Sequence, residues 1–128
     1  MPPRVRSIDR VECETAAGRV MVLVSAVGTD DELLATATVE FPEPGIALLR
    51  DWHSDAKGAG RPVLDRVEEV ARSRGANTVE VIPSAYTGDA RNPQPRRPGD
   101  QARLEAIYRA RGYQEDANLV YGTWRKIL

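Results

Sequence analysis

A chain of 128 residues, 41% apolar and 29% charged, is long enough to bury one core, and its composition excludes the disordered and membrane-embedded classes. Its net charge of −1 supplies no global attraction to nucleic acid, and the single cysteine, Cys13, excludes an internal disulfide and a cysteine zinc cluster. No apolar run approaches the ~20 residues of a membrane span, and Met-Pro-Pro-Arg-Val-Arg at the start lacks a signal-peptide core, which predicts a cytoplasmic single domain over residues 1–128.

In chain order, Val5–Glu14 sets Val5, Ile8 and Val11 among charges and predicts a strand with one exposed face. Ala16-Ala17-Gly18 makes a turn, and residues 19–27, with Val20, Val22, Leu23, Val24 and Val27, predict a strand buried on both faces or paired in a hairpin. After the turn Gly28-Thr29-Asp30-Asp31, residues 33–41 alternate Leu34, Thr36 and Thr38 with Ala35, Ala37 and Val39 until Pro42-Glu43-Pro44-Gly45 stops them. These three strands form an antiparallel meander. Residues 46–52 make a fourth strand that runs into a glycine-rich turn.

The helix that leaves this turn has Pro62 near its first position, where a missing N–H costs little. Val63, Leu64, Val67, Val70 and Ala71 share one helical face, Glu68 and Glu69 are expected on the solvent side, and Gly75 is placed to end the helix. Residues 77–82 then give a short strand, and a strand–helix–strand crossover makes it parallel to the fourth. Within the turn, Gly58 and Gly60 allow close backbone approach, and the first N–H groups of the helix point into it, as an anion site requires. A plain tight turn has the same glycines. No Gly-Lys-Ser/Thr follows, which excludes a Walker loop, and the third glycine of a dinucleotide fingerprint would fall at Val63.

Residues 83–100 hold Pro83, Pro93, Pro95 and Pro98 with Arg91, Arg96 and Arg97, and read as a long flexible loop, either an exposed segment or a lid whose arginines meet phosphate or acidic groups. The chain lacks the basic excess and aromatic interleaving of a nucleic-acid binder. Asp100 is a candidate cap for a helix over 101–111, with Leu104, Ile107 and Tyr108 on one side and Gly112 as its stop, and residues 113–128 supply final strand material. The sum is an α/β chain: a mixed sheet with two helices packed on it.

Asp55-Ala56-Lys57-Gly58-Ala59-Gly60 follows, apart from its first residue, the pattern Gln/Arg-x-x-Gly-x-Gly/Ala by which the GCN5-related N-acetyltransferases (GNAT) hold acetyl-coenzyme A at a strand-to-helix turn. Residues 104–113, with Tyr108, Gly112 and Tyr113, loosely match that family's late helix Ala-x-x-x-Tyr-x-x-x-Gly-Phe/Tyr. With the two motifs in the right order and one strand between them, the chain resembles a short, divergent member. The resemblance implies a GNAT-like mixed sheet: an N-terminal antiparallel meander, a β-α-β coenzyme A-binding unit, a second helix and a C-terminal strand. It also implies that Lys57, Gly58, Ala59, Gly60 and Arg61 contact the cofactor. The sequence departs from the pattern at Asp55, at Pro62 and at Ala16-Ala17-Gly18, which stands where many members carry two helices beside the acceptor site.

On this resemblance an acceptor amine, on a small molecule or a protein, attacks the thioester of acetyl-coenzyme A. Tyr108 is then the acid for the leaving thiolate, and His53, Asp51 and Glu40 are candidate bases. An N–H of the fourth strand stabilises the oxyanion. The alternative is a catalytically inactive GNAT-fold interaction or regulatory module, with weak or no acyl-coenzyme A binding, to which Asp55, Pro62 and the missing helices point. The truncated acceptor side also leaves apolar surface for a second subunit, a homodimer.

Overall fold

The computed structural model describes residues 4–54, 58–83, 86–87, 94–95, 99–116, 119 and 122–128. They fall into two units, Met1–Glu80 with Leu128, and Val81–Ile127. In the first, β1 (Val5–Glu14), β2 (Val20–Gly28), β3 (Leu33–Glu43) and β4 (Ile46–Ser54) pair antiparallel in that order. Helix α1 (Gly60–Ser73) follows, and β5 (Thr78–Val81) lies beside β4. Gly45 O accepts from Asn77 N at 2.9 Å and from Thr78 N at 3.2 Å, so β4 and β5 start together and run parallel, as the crossover requires.

The core of this unit is the α1 face of the sheet. Val22, Val24 and Ala26 of β2 stand opposite Val39, Ala37 and Ala35 of β3, all buried, and Val63, Leu64, Val67, Val70 and Ala71 of α1 close over them. Each fully buried valine or leucine contributes about 1.5–3 kcal/mol relative to exposure. Helix α1 ends as its glycine predicts: Gly75, at φ +80°, donates to Arg72 O at 3.0 Å and Ala76 N donates to Ala71 O at 2.9 Å, a Schellman closure.

Two expectations change. Glu68 is buried rather than solvent-facing, because it lies one turn after Leu64 on the flank of the packed face, where a count of apolar residues alone does not see it. Strand β3 does not stop at Pro42 but runs to Glu43; the register against β4 shifts between Glu40 and Glu43, which removes the missing proline N–H from the ladder.

The second unit holds a two-residue pair, β6 (Tyr86–Thr87) with β7 (Gln94–Pro95), then α2 (Asp100–Ala110), β8 (Gln114–Glu115) and β9 (Trp124–Ile127). The segment expected as a long flexible loop contains an antiparallel pair, while Arg91, Arg96 and Arg97 lie outside the described residues. Gly99, at φ +88°, takes the N-cap position expected of Asp100, which becomes the first helical residue. The final strand material divides into the β8–β9 hairpin, closed by Asp116 N donating to Thr123 O at 3.1 Å and by an Arg125–Asp116 ion pair at 2.9 Å. No helix among the described residues is long and apolar enough to cross a membrane.

Candidate functional site

Strand β4 sets the geometry. Thr38 pairs with Asp51 but the next residue, Val39, pairs with Leu49, so Arg50 is an extra residue in β4, a β-bulge. Side chains alternate between faces along a strand, and one inserted residue reverses the alternation beyond it. Trp52 and Ser54, opposite Ala37 and Ala35, therefore join Leu49 on the α1 face, while Asp51 and His53 turn to the other side. Since β4 has nine residues and β5 has four, residues 50–54 also run past the end of β5. That places the bulge where the two parallel strands part.

The bulge delivers Trp52 to the start of α1. Its indole Nε1 donates to Gly60 O at 3.1 Å, and a Cβ at Gly60 would lie 2.8 Å from the indole ring and 3.2 Å from Ser54 Cβ. Only glycine fits there. The two glycines of the motif thus have separate reasons: Gly60 admits Trp52, whereas Gly58 has open space around its Cβ position and is required by its φ of +85°. Ala59, at φ −81° and ψ −24°, is the N-cap. A left-handed residue followed by a right-handed one directs successive N–H groups toward a common point, the form of an anion-binding nest.

No side chain caps α1 and its first turn contains no acidic residue. Among the described residues, then, the first N–H groups of α1 have no side-chain partner and stand at the positive end of the helix dipole, and exposed Arg61 adds a cationic side chain beside them. Pro62 is the third helical residue, not the first; it still falls within the turn whose N–H groups have no helical acceptor, so the helix loses nothing, but the nest has one donor fewer. Lys57 and Asp55 lie outside the described residues.

The three candidate bases lie on the sheet face away from α1. His53, half-buried, stands opposite Thr36, and Asp51 opposite Thr38. Glu40, 6% exposed, receives Arg19 at 3.0 Å on one oxygen and Arg50 at 3.1 Å on the other. The hydrogen bond from Arg19, then that from Arg50, hold its carboxyl below the usual carboxylate range. A carboxylate so committed is a weak base, and its geometry is that of an anchor for the bulged Arg50.

In the second unit, Tyr108, Gly112 and Tyr113 are one local device. Tyr113 N donates to Tyr108 O at 3.0 Å and Gly112 N to Arg109 O at 3.0 Å, with Gly112 at φ +95°, a second Schellman closure. The apolar contact that accompanies such closures is here the two tyrosines, edge to face at 5.3 Å, both buried. Sequence reading missed the roles of Arg50 and Trp52. The usable signal was a tryptophan ahead of a glycine at the helix start; nothing local marks the bulge.

No protein-family model matches this chain, and no curated protein matches it in sequence. Solved structures match its fold. An acetyltransferase of the GNAT family from Staphylococcus aureus Mu50 superposes with a TM-score of 0.64 at 12% identity, over 84% of this chain and 68% of that one. Nourseothricin acetyltransferase does so with a TM-score of 0.58 at 16% identity, over 97% of this chain and 86% of that one. At such identities the likeness establishes the fold, which is that of the GNAT acetyltransferases.

Proposed function

We propose that this chain, which has the GNAT acetyltransferase fold, is an N-acetyltransferase that moves an acetyl group from acetyl-coenzyme A to an amine on a small molecule or a protein. One observation carries the reading: among the described residues the α1 N-terminus is a nest of N–H groups with no side-chain cap and no acidic residue in its first turn, pinned by Trp52 beside the bulged end of β4. Acetyl-coenzyme A supplies the acetyl group already activated as a thioester.

The chain's own residues then divide the work. Gly58, Ala59, Gly60 and Arg61, with Lys57, hold the pyrophosphate. A main-chain N–H of β4 near the Arg50 bulge steadies the oxyanion. His53 takes the proton from the acceptor amine as its nitrogen bonds to the carbonyl carbon, and Tyr108 gives a proton to sulfur as the C–S bond breaks. Glu40 keeps the bulge in place and takes no proton.

Calorimetric titration with acetyl-coenzyme A, beside an Arg61→Glu variant, tests the nest. A carboxylate in the first helical turn favours the helix while repelling an anion, so the variant separates binding from folding. Micromolar binding weakened about tenfold or more in Arg61→Glu supports the reading; no binding at millimolar cofactor removes it. Pro62 favours a second reading, a catalytically inactive interaction or regulatory module of the same fold with weak or no acyl-coenzyme A binding, for which a weak or null titration is the signature.

A further inference from the structure

Strand β1 is ten residues long, contains no proline and ends the strand order of the sheet, with residues 9–14 exposed. Its outer edge, unpaired among the described residues, has a definite polarity. Thr15 N donates to Arg19 O at 2.7 Å, so Thr15 turns its backbone groups toward β2. In an antiparallel ladder this alternates, and Ile8, Arg10, Glu12 and Glu14 must present theirs to the outside. A register shift between Val5 and Ser7 interrupts the strand at one end and the hairpin turn at the other. The regular outward run is thus 8–14, and its midpoint is Val11.

We propose that two copies of this chain pair through β1, antiparallel, with Val11 on the twofold axis, joining their sheets edge to edge. The charges fit that axis and neighbouring ones fail. Centred on Val11, Arg10 of each copy stands opposite Glu12 of the other, on one face. Moved by one residue, the axis sets Arg10 against Arg10 or Glu12 against Glu12, like charges directly opposed. The apolar pattern agrees: Val11, 61% exposed, lies beside Leu23, 39% exposed, in the β1–β2 ladder. Pairing about Val11 makes Leu23, Val11 and their copies one continuous stripe on the other face. Glu12, which also meets Arg74 of its own chain, sits between two guanidinium groups in the pair. Ile8 opposite Glu14 contributes no attraction. Of the devices that blunt an edge strand, β1 has a bulge at one end and charged side chains along its length, and about Val11 those charges meet as opposites.

Sedimentation velocity, with circular dichroism to verify folding, tests the pairing. At tens of micromolar the wild-type chain sediments at twice the monomer mass. Arg10→Glu weakens the dimer about tenfold or more, and the swap Arg10→Glu with Glu12→Arg restores it. In a Cys13→Ser background, Val11→Cys forms a disulfide-linked dimer under mild oxidation, because residues facing each other at a non-hydrogen-bonded position lie about 4.5 Å apart at Cα. Wild-type Cys13 does not cross-link, since the pairing separates the two copies of Cys13 by about 13 Å along the strands. A wild-type monomer at hundreds of micromolar, a dimer unaffected by Arg10→Glu, or a folded Val11→Cys variant that stays unlinked overturns the proposal.

Discussion

The start of α1 and the end of α2 both carry a glycine motif, and they use it in opposite ways. At the end of α2 the motif closes on itself: Gly112 and Tyr113 return their N–H groups to the last carbonyls, and Tyr113 packs on Tyr108. At the start of α1 the turn is held from below by Trp52, while its own N–H groups receive no side-chain cap. A helix end whose polar groups are satisfied internally explains its own residues. An end held by a tryptophan but without a side-chain cap among the described residues is the one suited to a ligand.

The largest effect expected from breaking this contrast is at Tyr108. Tyr108→Phe keeps the ring against Tyr113 and removes only the hydroxyl. Turnover with an acceptor amine should fall about 100-fold at unchanged cofactor affinity, and an unaltered rate would leave Tyr108 as part of the helix closure alone. Next comes Gly60→Ala, whose Cβ has Trp52 at 2.8 Å. It should lower stability by about 1–3 kcal/mol in urea unfolding, and a loss near zero would mean the indole is free to move aside.

Gly58→Ala and Gly112→Ala form a matched pair, since both glycines have positive φ, at +85° and +95°, and each substitution should cost about 1–2 kcal/mol. Their second readouts should differ. Gly112→Ala exposes the Tyr113 amide to hydrogen exchange, whereas Gly58→Ala weakens acetyl-coenzyme A binding beyond what its stability loss accounts for. Equal cofactor binding by Gly58→Ala and wild type would remove the nest from the site.

The smallest effect concerns Glu40 and acid. Its carboxyl has a lowered pKa in the folded chain, so the stabilisation it supplies is complete above the ordinary carboxylate pKa and is lost as pH falls through the lower folded value. Thermal melts from neutral pH downward should show a shallower acid decline for Glu40→Gln than for wild type. Parallel curves would assign the decline to other carboxylates.

Much of this molecule was legible in the amino-acid order because its causes are local. The positions of strands β1 and β2, the 3.6-residue spacing of Val63, Leu64, Val67, Val70 and Ala71, and the stops at Gly75 and Gly112 each depend on a few neighbouring residues, and each appears where the pattern places it. The motif glycines were legible too, although their reasons were not: Gly58 answers to its own backbone, Gly60 to a tryptophan eight residues earlier.

What only the tertiary structure decided is which side of the sheet β4 presents. The inserted Arg50 has no local mark, because a bulge is a mismatch between two strands and exists only once β3 is opposite. That one residue sends Trp52 toward the start of the helix, sets His53 and Asp51 on the far face, and brings Arg50 to Glu40. Spacing along a chain specifies periodic faces; it does not specify register, and register places the chemistry.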